Sequence, residues 1–446
     1  MKPSTLKGTR DFGPAVVARR NYIFDTIKRV FVKYGYQPIE TPAMEKLETL
    51  TGKYGEEGDR LLFKILNNGS FLSKVKEEDL SQKDEKAVLP QIAKRGLRYD
   101  LTVPFARFVV MHQNDLSFPF KRYQIQPVWR ADRPQANRYQ EFFQCDVDVV
   151  GSDSLVYEAE LVQIYDEVFA NLNLDVTIKI NNRKVLAGIA EATGISDQFV
   201  DMTVAIDKLD KIGAEGVRKE MQRKNIPDAA IDQIEKILAV KSLTELKPLL
   251  ASSPMGLEGI AELETFHTYF DLYEAKNTVE FDITLARGLN YYTGCIVEVK
   301  ANDVKMGSIG GGGRYADLTS VFGMKNMPGV GVSFGAARIY DAMEMLDIFP
   351  DTFEGDLKVL FIALDQNTHP FAFQQVIKAR AAGINADLYP EPAKMKKQMK
   401  YANDRQVPFV VIIGEEERNS GLLSLKNMQS GDQEKLSIET IIEKLN

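Results

Sequence analysis

The stretch KRYQIQPVWRADRPQANRYQEFFQCDVDVVG, residues 121–151, decides the fold. Apolar and polar residues alternate on both sides of its centre, and a period of two is typical of β-strands that are half exposed. The connecting segment DRPQANR is polar and contains a proline, as turns between strands often do. The sequence therefore predicts two strands joined by a loop.

The two faces of the second predicted strand differ in chemistry. Because side chains alternate across a strand, one face forms a polar floor, and that floor comprises Arg130, Phe142, Gln144, Asp146 and Asp148. The opposite face is apolar and comprises Phe143, Cys145, Val147 and Val149. Such a floor could bind a charged, planar ligand, but an ordinary half-solvated sheet has the same alternation, so the pattern leaves both interpretations open.

The composition indicates which class of protein this chain belongs to. The chain has 446 residues with 44% hydrophobic and 27% charged residues, which is typical of a globular protein of roughly two to four domains. Neither a membrane span nor a secretion signal is expected, because no apolar run is long enough and the N-terminus is polar. The two cysteines, Cys145 and Cys295, fit a reducing cytoplasm. The three histidines have no metal-binding spacing, so a zinc site is not expected, and no side chain is assigned as a metal ligand.

Changes of periodicity along the chain predict four segments. Residues 1–182 begin with a helix from about Ala15 to Tyr34 and end after the two strands, whereas residues 183–276 have helical spacing throughout. Residues 277–350 return to strands, and residues 357–446 alternate strands with helices, as a small α/β domain does. We therefore expect a helical block inserted between two β-rich regions.

Two further segments receive local predictions. The polar residues 67–90 are rich in lysine and acidic residues, which favours an exposed loop. The segment LRYDLTVPFAR, residues 97–107, favours a strand with Asp100 and Thr102 on one face. A carboxylate and a hydroxyl there could receive an ammonium group, although a turn at a strand end explains the same residues equally well.

Three arginines and two glycine-rich segments are candidates for ligand binding. Arg130 ends a predicted strand, Arg287 precedes a glycine turn in LARGLNYYTG, and Arg338 opens a predicted helix. Guanidinium groups suit phosphate and carboxylate oxygens, but surface salt bridging is the commoner role of any single arginine. The segments GSIGGGGRYADL and GVGVSFG match neither a P-loop nor GxGxxG. Their glycines are expected to let the backbone approach a ligand or a neighbouring strand.

These segments, in this order, resemble the histidyl-tRNA synthetases, a family of class II aminoacyl-tRNA synthetases. KGTRDF resembles the N-terminal signature of the family, IETPAME resembles motif 1, VWRADRPQANRYQEFFQCDVDVVG resembles motif 2, and GVGVSFGAARI resembles motif 3. LARGLNYYTG and GGGGRYADL resemble the two histidine-specific motifs, and the resemblance spans nearly the whole chain. Two positions depart from the family pattern, since Asn290 replaces an aspartate and Ala337 replaces a glutamate.

The resemblance implies a set of site residues. The implied catalytic residues are Arg130, Arg287 and Arg338. The implied ATP contacts are Arg130 and Arg338 for the phosphates, Asp132 for adenine and Phe142 for stacking on adenine. The implied histidine contacts are Asp100, Leu101, Thr102, Arg130, Gln144, Asp148, Arg287, Tyr291, Tyr292 and Tyr315. The implied contacts with the tRNA acceptor end are Arg133, Gln135 and Arg138.

The resemblance also implies a fold and a function. We expect an α+β catalytic domain built on an antiparallel sheet, a helical insertion, and a C-terminal α/β domain that resembles the family's anticodon-binding domain. The implied reaction is ATP-dependent ligation of L-histidine to tRNA(His) through a histidyl-adenylate, with ATP as substrate and Mg²⁺, in a cytoplasmic homodimer.

Basic residues of the helical block could grip the acceptor stem or lie on a solvated face, and they are Lys208, Lys211, Arg218, Lys219, Arg223 and Lys224. Two rival functions stay open at this point. One is a catalytically silent relative that senses histidine, which the intact C-terminal segment and RGLNYYTG disfavour. The other is a tRNA-binding scaffold without adenylation, which the three arginines disfavour.

Overall fold

The computed structural model describes residues 2–51, 61–133, 139–286, 292–316, 318–351, 353 and 356–446. The chain forms two compact units, Met1–Phe349 and Pro350–Asn446. Among the described helices, none combines the length and the apolar character that crossing a membrane requires.

Strands occur in both units. In chain order they are β1 (Gln37–Pro38), β2 (Met44–Lys46), β3 (Lys64–Ile65), β4 (Arg95–Leu97), β5 (Phe120–Trp129), β6 (Glu141–Val150), β7 (Val176–Asn182), β8 (Thr278–Phe281), β9 (Tyr292–Ala301), β10 (Gly310–Tyr315), β11 (Gly329–Phe334), β12 (Val359–Ala363), β13 (Ala386–Leu388), β14 (Phe409–Ile413), β15 (Leu423–Asn427) and β16 (Gln433–Leu436).

Helices surround the sheets. The α-helices are Pro14–Lys33, Leu47–Leu50, Glu77–Gln82, Glu85–Ile92, Thr102–Met111, Val156–Asn171, Arg183–Ala192, Phe199–Ile206, Leu209–Arg223, Asp228–Leu238, Leu243–Leu249, Pro254–Phe270, Ala336–Leu346, His369–Ala381, Met395–Asp404, Glu415–Ser420 and Ile438–Leu445. Short 3₁₀ turns lie at Ser196–Gln198 and Ser320–Phe322.

An eight-stranded sheet organises the first unit. Its strand order is β1-β5-β6-β11-β10-β9-β7-β8. The pairs from β5 to β7 are antiparallel, and only the edge pairs β1–β5 and β7–β8 are parallel. The expectation of an α+β domain on a mainly antiparallel sheet is therefore confirmed. The predicted strand pair is confirmed as the β5–β6 hairpin, in which Arg122 lies opposite Asp148.

The apolar face of β6 forms part of the core, as its period-two pattern predicts. Cys145, Val147 and Val149 are buried together with residues of the helix Pro14–Lys33, such as Phe31. This helix begins with Pro14, whose ring presets the backbone angle of a first helical turn. One face of the sheet thus packs against helices, and part of the polar face of β6, at Phe142 and Gln144, borders a cavity.

Two local predictions are wrong. Residues 67–90 are not a loop throughout, because they contain the helix Glu77–Gln82 and most of Glu85–Ile92. The carboxylate of Asp84 accepts hydrogen bonds from the amides of Lys86 and Ala87, and such a cap favours a helix that composition alone does not reveal.

The strand predicted around Asp100 and Thr102 is also wrong. β4 ends at Leu97 and a helix begins at Thr102. Asp100 Oδ1 accepts a hydrogen bond from the amide of Val103 at 3.3 Å, so its side chain serves the first turn of the helix.

The helical block is present, with helices from Arg183 to Phe270. Its apolar residues, such as Ile189 and Leu263, belong to the same core as the sheet strands. The boundaries at 182 and 276 within the first unit stay predictions.

The second unit is a small α/β domain, as predicted. Its sheet has the order β13-β12-β14-β15-β16, in which β12 is parallel to both of its neighbours. Helices such as His369–Ala381 and Ile438–Leu445 cover this sheet around a separate apolar core. The β15–β16 hairpin and the helix Glu415–Ser420 were not predicted.

Candidate functional site

A cavity of about 410 Å³ opens on the polar face of the eight-stranded sheet. Strands β6, β9, β10 and β11, the end of the β5–β6 hairpin and the start of the helix Ala336–Leu346 contribute to its lining. Six of the predicted site residues lie in this lining, and they are Arg130, Asp132, Phe142, Gln144, Tyr292 and Arg338. The fold therefore brings both described arginines of the predicted catalytic set to one cavity.

Glycines allow the strands next to the cavity to pack closely. A Cβ on Gly312 of β10 would lie 2.1 Å from the carbonyl oxygen of Gly331, and a Cβ on Gly331 of β11 would lie 1.9 Å from Asp148 Oδ1. Neither distance is sterically possible, so only glycine fits where these strands meet. The predicted close backbone approach is confirmed between these strands, and the space at Gly331 is occupied by the carboxylate of Asp148.

Arg130 is held in place by contacts on three sides. Its Nε donates a hydrogen bond to the carbonyl oxygen of Tyr99 at 3.0 Å, and its Nη2 lies 3.4 Å from Gln144 Oε1. Its guanidinium carbon lies 5.2 Å from the centre of the Phe142 ring. The group is thus preorganised next to an aromatic ring that also lines the cavity.

The orientation of the Gln144 amide follows from its partners. Its Nε2 donates to Ser333 Oγ at 3.1 Å and to Asp146 Oδ1 at 3.4 Å. Because both of these partners accept the amide hydrogens, Oε1 is the end that faces Arg130 and can accept a hydrogen bond there.

Arg338 approaches the cavity from the opposite side. It lies in the first turn of the helix Ala336–Leu346, and its Nη1 donates to the carbonyl oxygen of Ser308 at 2.6 Å. Ala337, where the family resemblance leads one to expect a glutamate, lines the cavity beside it. A short apolar side chain at this position leaves the nearby lining without that carboxylate.

A buried ion pair lies on the same face of β6 as Gln144, further along the strand. Arg122 is fully buried, and its Nη2 lies 2.7 Å from Asp148 Oδ2. The hydroxyl of Tyr315 donates to Asp148 Oδ1 at 2.9 Å. Burial raises the pKa of Asp148, and Arg122 opposes that rise. Asp148 and Tyr315 thus form a buried polar cluster on the same face of the sheet as Gln144, and they lie outside the cavity lining formed by the described residues.

Asp146 adds a second buried carboxyl group next to this pair. Burial raises the pKa of Asp146 to about 7, Arg122 opposes the rise, and Asp148 and Asp100 add to it. Asp100 therefore lies near the floor, and it is buried, as is Leu101. The predicted histidine contacts Asp100, Leu101 and Thr102 lie, like Asp148, outside the described lining of the cavity.

Several predicted site residues lie outside the described residues. They are Arg287, Tyr291, Gln135 and Arg138, together with the departure Asn290. Arg133 is described and exposed, and it is not among the lining residues of the cavity.

Sequence reasoning missed four residues of the site. Arg122 could have been found once the hairpin register was known, because it lies opposite Asp148. Ser333 and Glu298 alternate with apolar neighbours on β11 and β9, but only the strand order brings them to the cavity. Tyr139 carried no pattern that points to the cavity it lines.

Carboxylates are sparse in this cavity. Glu298 and Asp132 line it. In the part of the chain that the structure describes, no three His, Cys, Asp or Glu side chains are grouped so that they could hold a metal ion.

Comparison with known proteins finds relatives that match nearly the whole chain. The model of the family described as histidyl-tRNA synthetase matches residues 84–339, and the model of the anticodon binding domain matches residues 358–446. The chain is 55% identical over 437 residues to the histidine–tRNA ligase of Phocaeicola vulgatus, covering 97% of this chain and 96% of that protein. It is 54% identical over 446 residues to the histidine–tRNA ligase of Bacteroides fragilis, covering 99% and 98%.

A solved structure matches equally broadly. The crystal structure of histidyl-tRNA synthetase from Nostoc sp. PCC 7120 superposes with a TM-score of 0.86 at 32% identity, covering 100% of this chain and 99% of that one. Both units described above therefore have counterparts in a single relative.

Proposed function

Because the chain belongs to the histidyl-tRNA synthetase family of class II aminoacyl-tRNA synthetases, we propose that it ligates L-histidine to tRNA(His), using ATP and forming a histidyl-adenylate. One observation carries the proposal at the level of residues. Arg130 and Arg338, far apart in sequence, line the same cavity as Gln144, an amide suited to an imidazole or an amino group.

The nucleotide side of the cavity is assigned to four residues. Phe142 offers a ring on which adenine can stack, with Arg130 against the same ring. Arg130 and Arg338 would contact phosphate oxygens, which guanidinium groups bind through paired donors. Asp132 would accept a hydrogen bond from adenine.

The amino-acid side is assigned to the floor. Gln144 and Tyr292 line the cavity and would contact histidine directly. Asp148, Tyr315, Asp100, Leu101 and Thr102 are the remaining described members of the proposed histidine set. Arg287 and Tyr291, which lie outside the described residues, would complete it. A site that hydrogen-bonds an imidazole rejects amino acids that lack those groups, because its own polar groups would then be unpaired.

The reaction depends on positive charge near the phosphates rather than on a general acid or base. The carboxylate of histidine attacks the α-phosphorus of ATP, a carboxyl–phosphate bond forms, and the bond to pyrophosphate breaks. Two anions must approach each other, so preorganised cations lower the barrier. Arg130 and Arg287 would stabilise the charge on the α-phosphate, and Arg338 would hold the departing phosphates. In the second step the 3′ end of the tRNA takes the histidyl group and AMP leaves.

Mg²⁺ is part of the proposal and would be bound largely through ATP. This ion binds through one or two carboxylates together with substrate phosphates, and keeps several waters. Glu298 is the carboxylate of the described lining that fits this role, since Asp132 is assigned to adenine. The ion would neutralise phosphate charge.

Contacts with tRNA are proposed for two regions. Arg133, Gln135 and Arg138 would meet the acceptor end, and residues 358–446 would bind the anticodon.

The basic residues of the helical block are a weaker candidate. Five of the six have acidic partners, in the pairs Lys208–Glu220, Arg218–Asp232, Lys219–Glu215, Arg223–Glu220 and Lys224–Asp201. This arrangement favours a solvated face over a surface that grips the acceptor stem.

Assembly and location complete the proposal. We propose a homodimer that forms through the motif 1 segment at β2, where Met44 is exposed, and a cytoplasmic location, which suits the two buried free cysteines. Sedimentation at micromolar concentration tests the dimer, and a monomer there would contradict it.

Histidine-dependent exchange of pyrophosphate into ATP tests the function. We expect exchange with L-histidine, none with other amino acids, and transfer of histidine to tRNA(His). A histidine-sensing relative or a tRNA-binding scaffold would give no exchange, which would overturn the proposal.

A further inference from the structure

We propose that the segment Gly8–Phe12 braces the nucleotide side of the cavity, and that Arg10 is a positioning residue that acts through Tyr139. This inference rests on the proposed function, because it concerns the binding of ATP at that site. The proposal explains the KGTRDF segment. This segment resembles a family motif, but none of its residues has a role in the proposed reaction.

The segment is joined to the base of the β5–β6 loop through one residue, Gln140. The amide of Gln140 donates to the carbonyl oxygen of Gly8 at 2.9 Å. The carbonyl oxygen of Gln140 accepts from the amide of Arg130 at 2.9 Å, and its side-chain Nε2 donates to the carbonyl oxygen of Asp132 at 2.9 Å. Gln140 therefore ties the N-terminal segment to two residues of the cavity lining.

The approach at this junction is close. Gly8 has a φ of +87°, and a Cβ on it would lie 2.7 Å from the side-chain Cγ of Gln140. A glycine is thus required here by both backbone conformation and packing.

Arg10 makes the second connection. Its guanidinium carbon lies 3.3 Å from the centre of the Tyr139 ring, and Tyr139 lines the cavity. The Tyr139 hydroxyl lies 3.5 Å from Asp341 Oδ2, on the helix that carries Arg338. Burial raises the pKa of Asp341, and both Arg10 and Arg338 oppose the rise. Asp341 therefore lies within the field of both guanidinium groups and links the brace to the phosphate side.

Arg10 is itself held by a row of alternating rings and cations. Phe12 lies near two cations, with the guanidinium carbon of Arg10 at 4.9 Å and that of Arg20 at 4.0 Å from the ring centre. Arg20 also lies 5.4 Å from the ring of Phe143, on the apolar face of β6. The row thus runs from Tyr139 in the cavity wall to Phe143 on the apolar face of β6, so the position of Tyr139 depends on a cation that has contacts of its own.

Replacing Arg10 by alanine should weaken ATP binding selectively. In histidine-dependent pyrophosphate exchange, Arg10→Ala should raise the KM for ATP by roughly 3- to 30-fold, as the loss of a partly desolvated cation–π contact predicts. The KM for histidine should change much less, because Arg10 reaches the cavity through Tyr139 and Asp341, whereas Gln144 is oriented by Ser333 and Asp146. Tyr139→Leu should have the same effect, and the double variant should be no worse than Tyr139→Leu alone.

Matched variants separate this role from a general loss of structure. Arg10→Lys keeps a cation over the ring and should recover part of the ATP affinity, and Tyr139→Phe should be closer to the wild type than Tyr139→Leu. Lys7→Ala removes one exposed cation from the same stretch and should leave both KM values unchanged.

Three outcomes decide the question. A selective rise in the KM for ATP supports the brace. An unchanged KM for ATP in Arg10→Ala overturns it, and so does a parallel loss in kcat and both KM values together with a lower Tm, since that pattern indicates a structural role only. Calorimetric titration with ATP measures the binding affinity of the wild type and of Arg10→Ala without any reaction. It therefore tests the role of Arg10 even if the wild type shows no pyrophosphate exchange and the proposed function is wrong.

Discussion

Replacing Arg122 by methionine should expose how strongly the floor of the site depends on one buried cation. Methionine is of similar length and carries no charge. The side chains of Arg122 and Asp148 are 0% and 6% exposed, so the substitution leaves a carboxylate buried without its cation. Removal of one partner from a buried ion pair costs about 3–5 kcal/mol.

The lower end of that range applies here, because one stabilising contact survives. The Tyr315 hydroxyl still donates to Asp148 at 2.9 Å, and hydrogen bonds to charged groups contribute about 1.5–3 kcal/mol each. A loss of about 3 kcal/mol corresponds to a Tm lowered by about 6 °C, at the ~2 °C per kcal/mol that suits large domains.

The loss should also depend on pH. Burial already raises the pKa of Asp148, and Arg122 opposes the rise, so the pKa rises further without the guanidinium. A raised pKa means that the folded state binds a proton which the unfolded state releases above about pH 4. Stability therefore falls as pH increases from that value through the raised pKa of the folded state. The same cation opposes the rise of Asp146 to about 7, so the deficit of the variant should be larger at pH 8 than at pH 5.

Thermal unfolding at pH 5 and pH 8 measures this effect, with Arg122→Met, Asp148→Asn and the double variant side by side. The double variant should recover most of the loss, because no unpaired carboxylate then remains at position 148. A deficit in Tm that is the same at both pH values, or losses that simply add in the double variant, would refute the account of a charge-compensating pair.

Three further predictions follow from the site and the two units. Arg287→Ala should lower the rate of pyrophosphate exchange by roughly 10²–10³, by analogy with the loss of one oxyanion donor, and near wild-type exchange would contradict its role. A chain that ends before Pro350 should lose tRNA charging far more than histidyl-adenylate formation, and equal losses would refute the division of labour between the units. Gly331→Ala should cost at least about 1–3 kcal/mol through overpacking, because its Cβ would meet Asp148 Oδ1; Gly13→Ala, with open space around the Cβ, is the matched control in the same unfolding assay.

The alternation of side chains along a strand explains which parts of the site could be predicted from the sequence. The polar and apolar faces of β6 could be assigned from residues 141–150 alone, since side chains on a strand alternate regardless of what surrounds it. The same reasoning was wrong for Asp100 and Thr102, where a carboxylate that accepts from Val103 begins a helix instead. The role of Asp84 as a cap was missed for a similar reason, because side-chain hydrogen bonds to the backbone outweigh composition over such short distances.

The amino-acid sequence by itself determined the hairpin, the apolar face that packs on Pro14–Lys33, the α/β character of the second unit and the family to which the chain is related. Only the tertiary structure decided that Ser333 and Glu298 reach the same cavity as Arg130, and that Arg122 pairs with Asp148 across the β5–β6 hairpin. The physical reason is that strand order and register depend on contacts between segments far apart in the chain. The sequence of one strand does not specify which strands will lie beside it. Arg130 and Arg338 therefore come to line one cavity only when the whole sheet has formed.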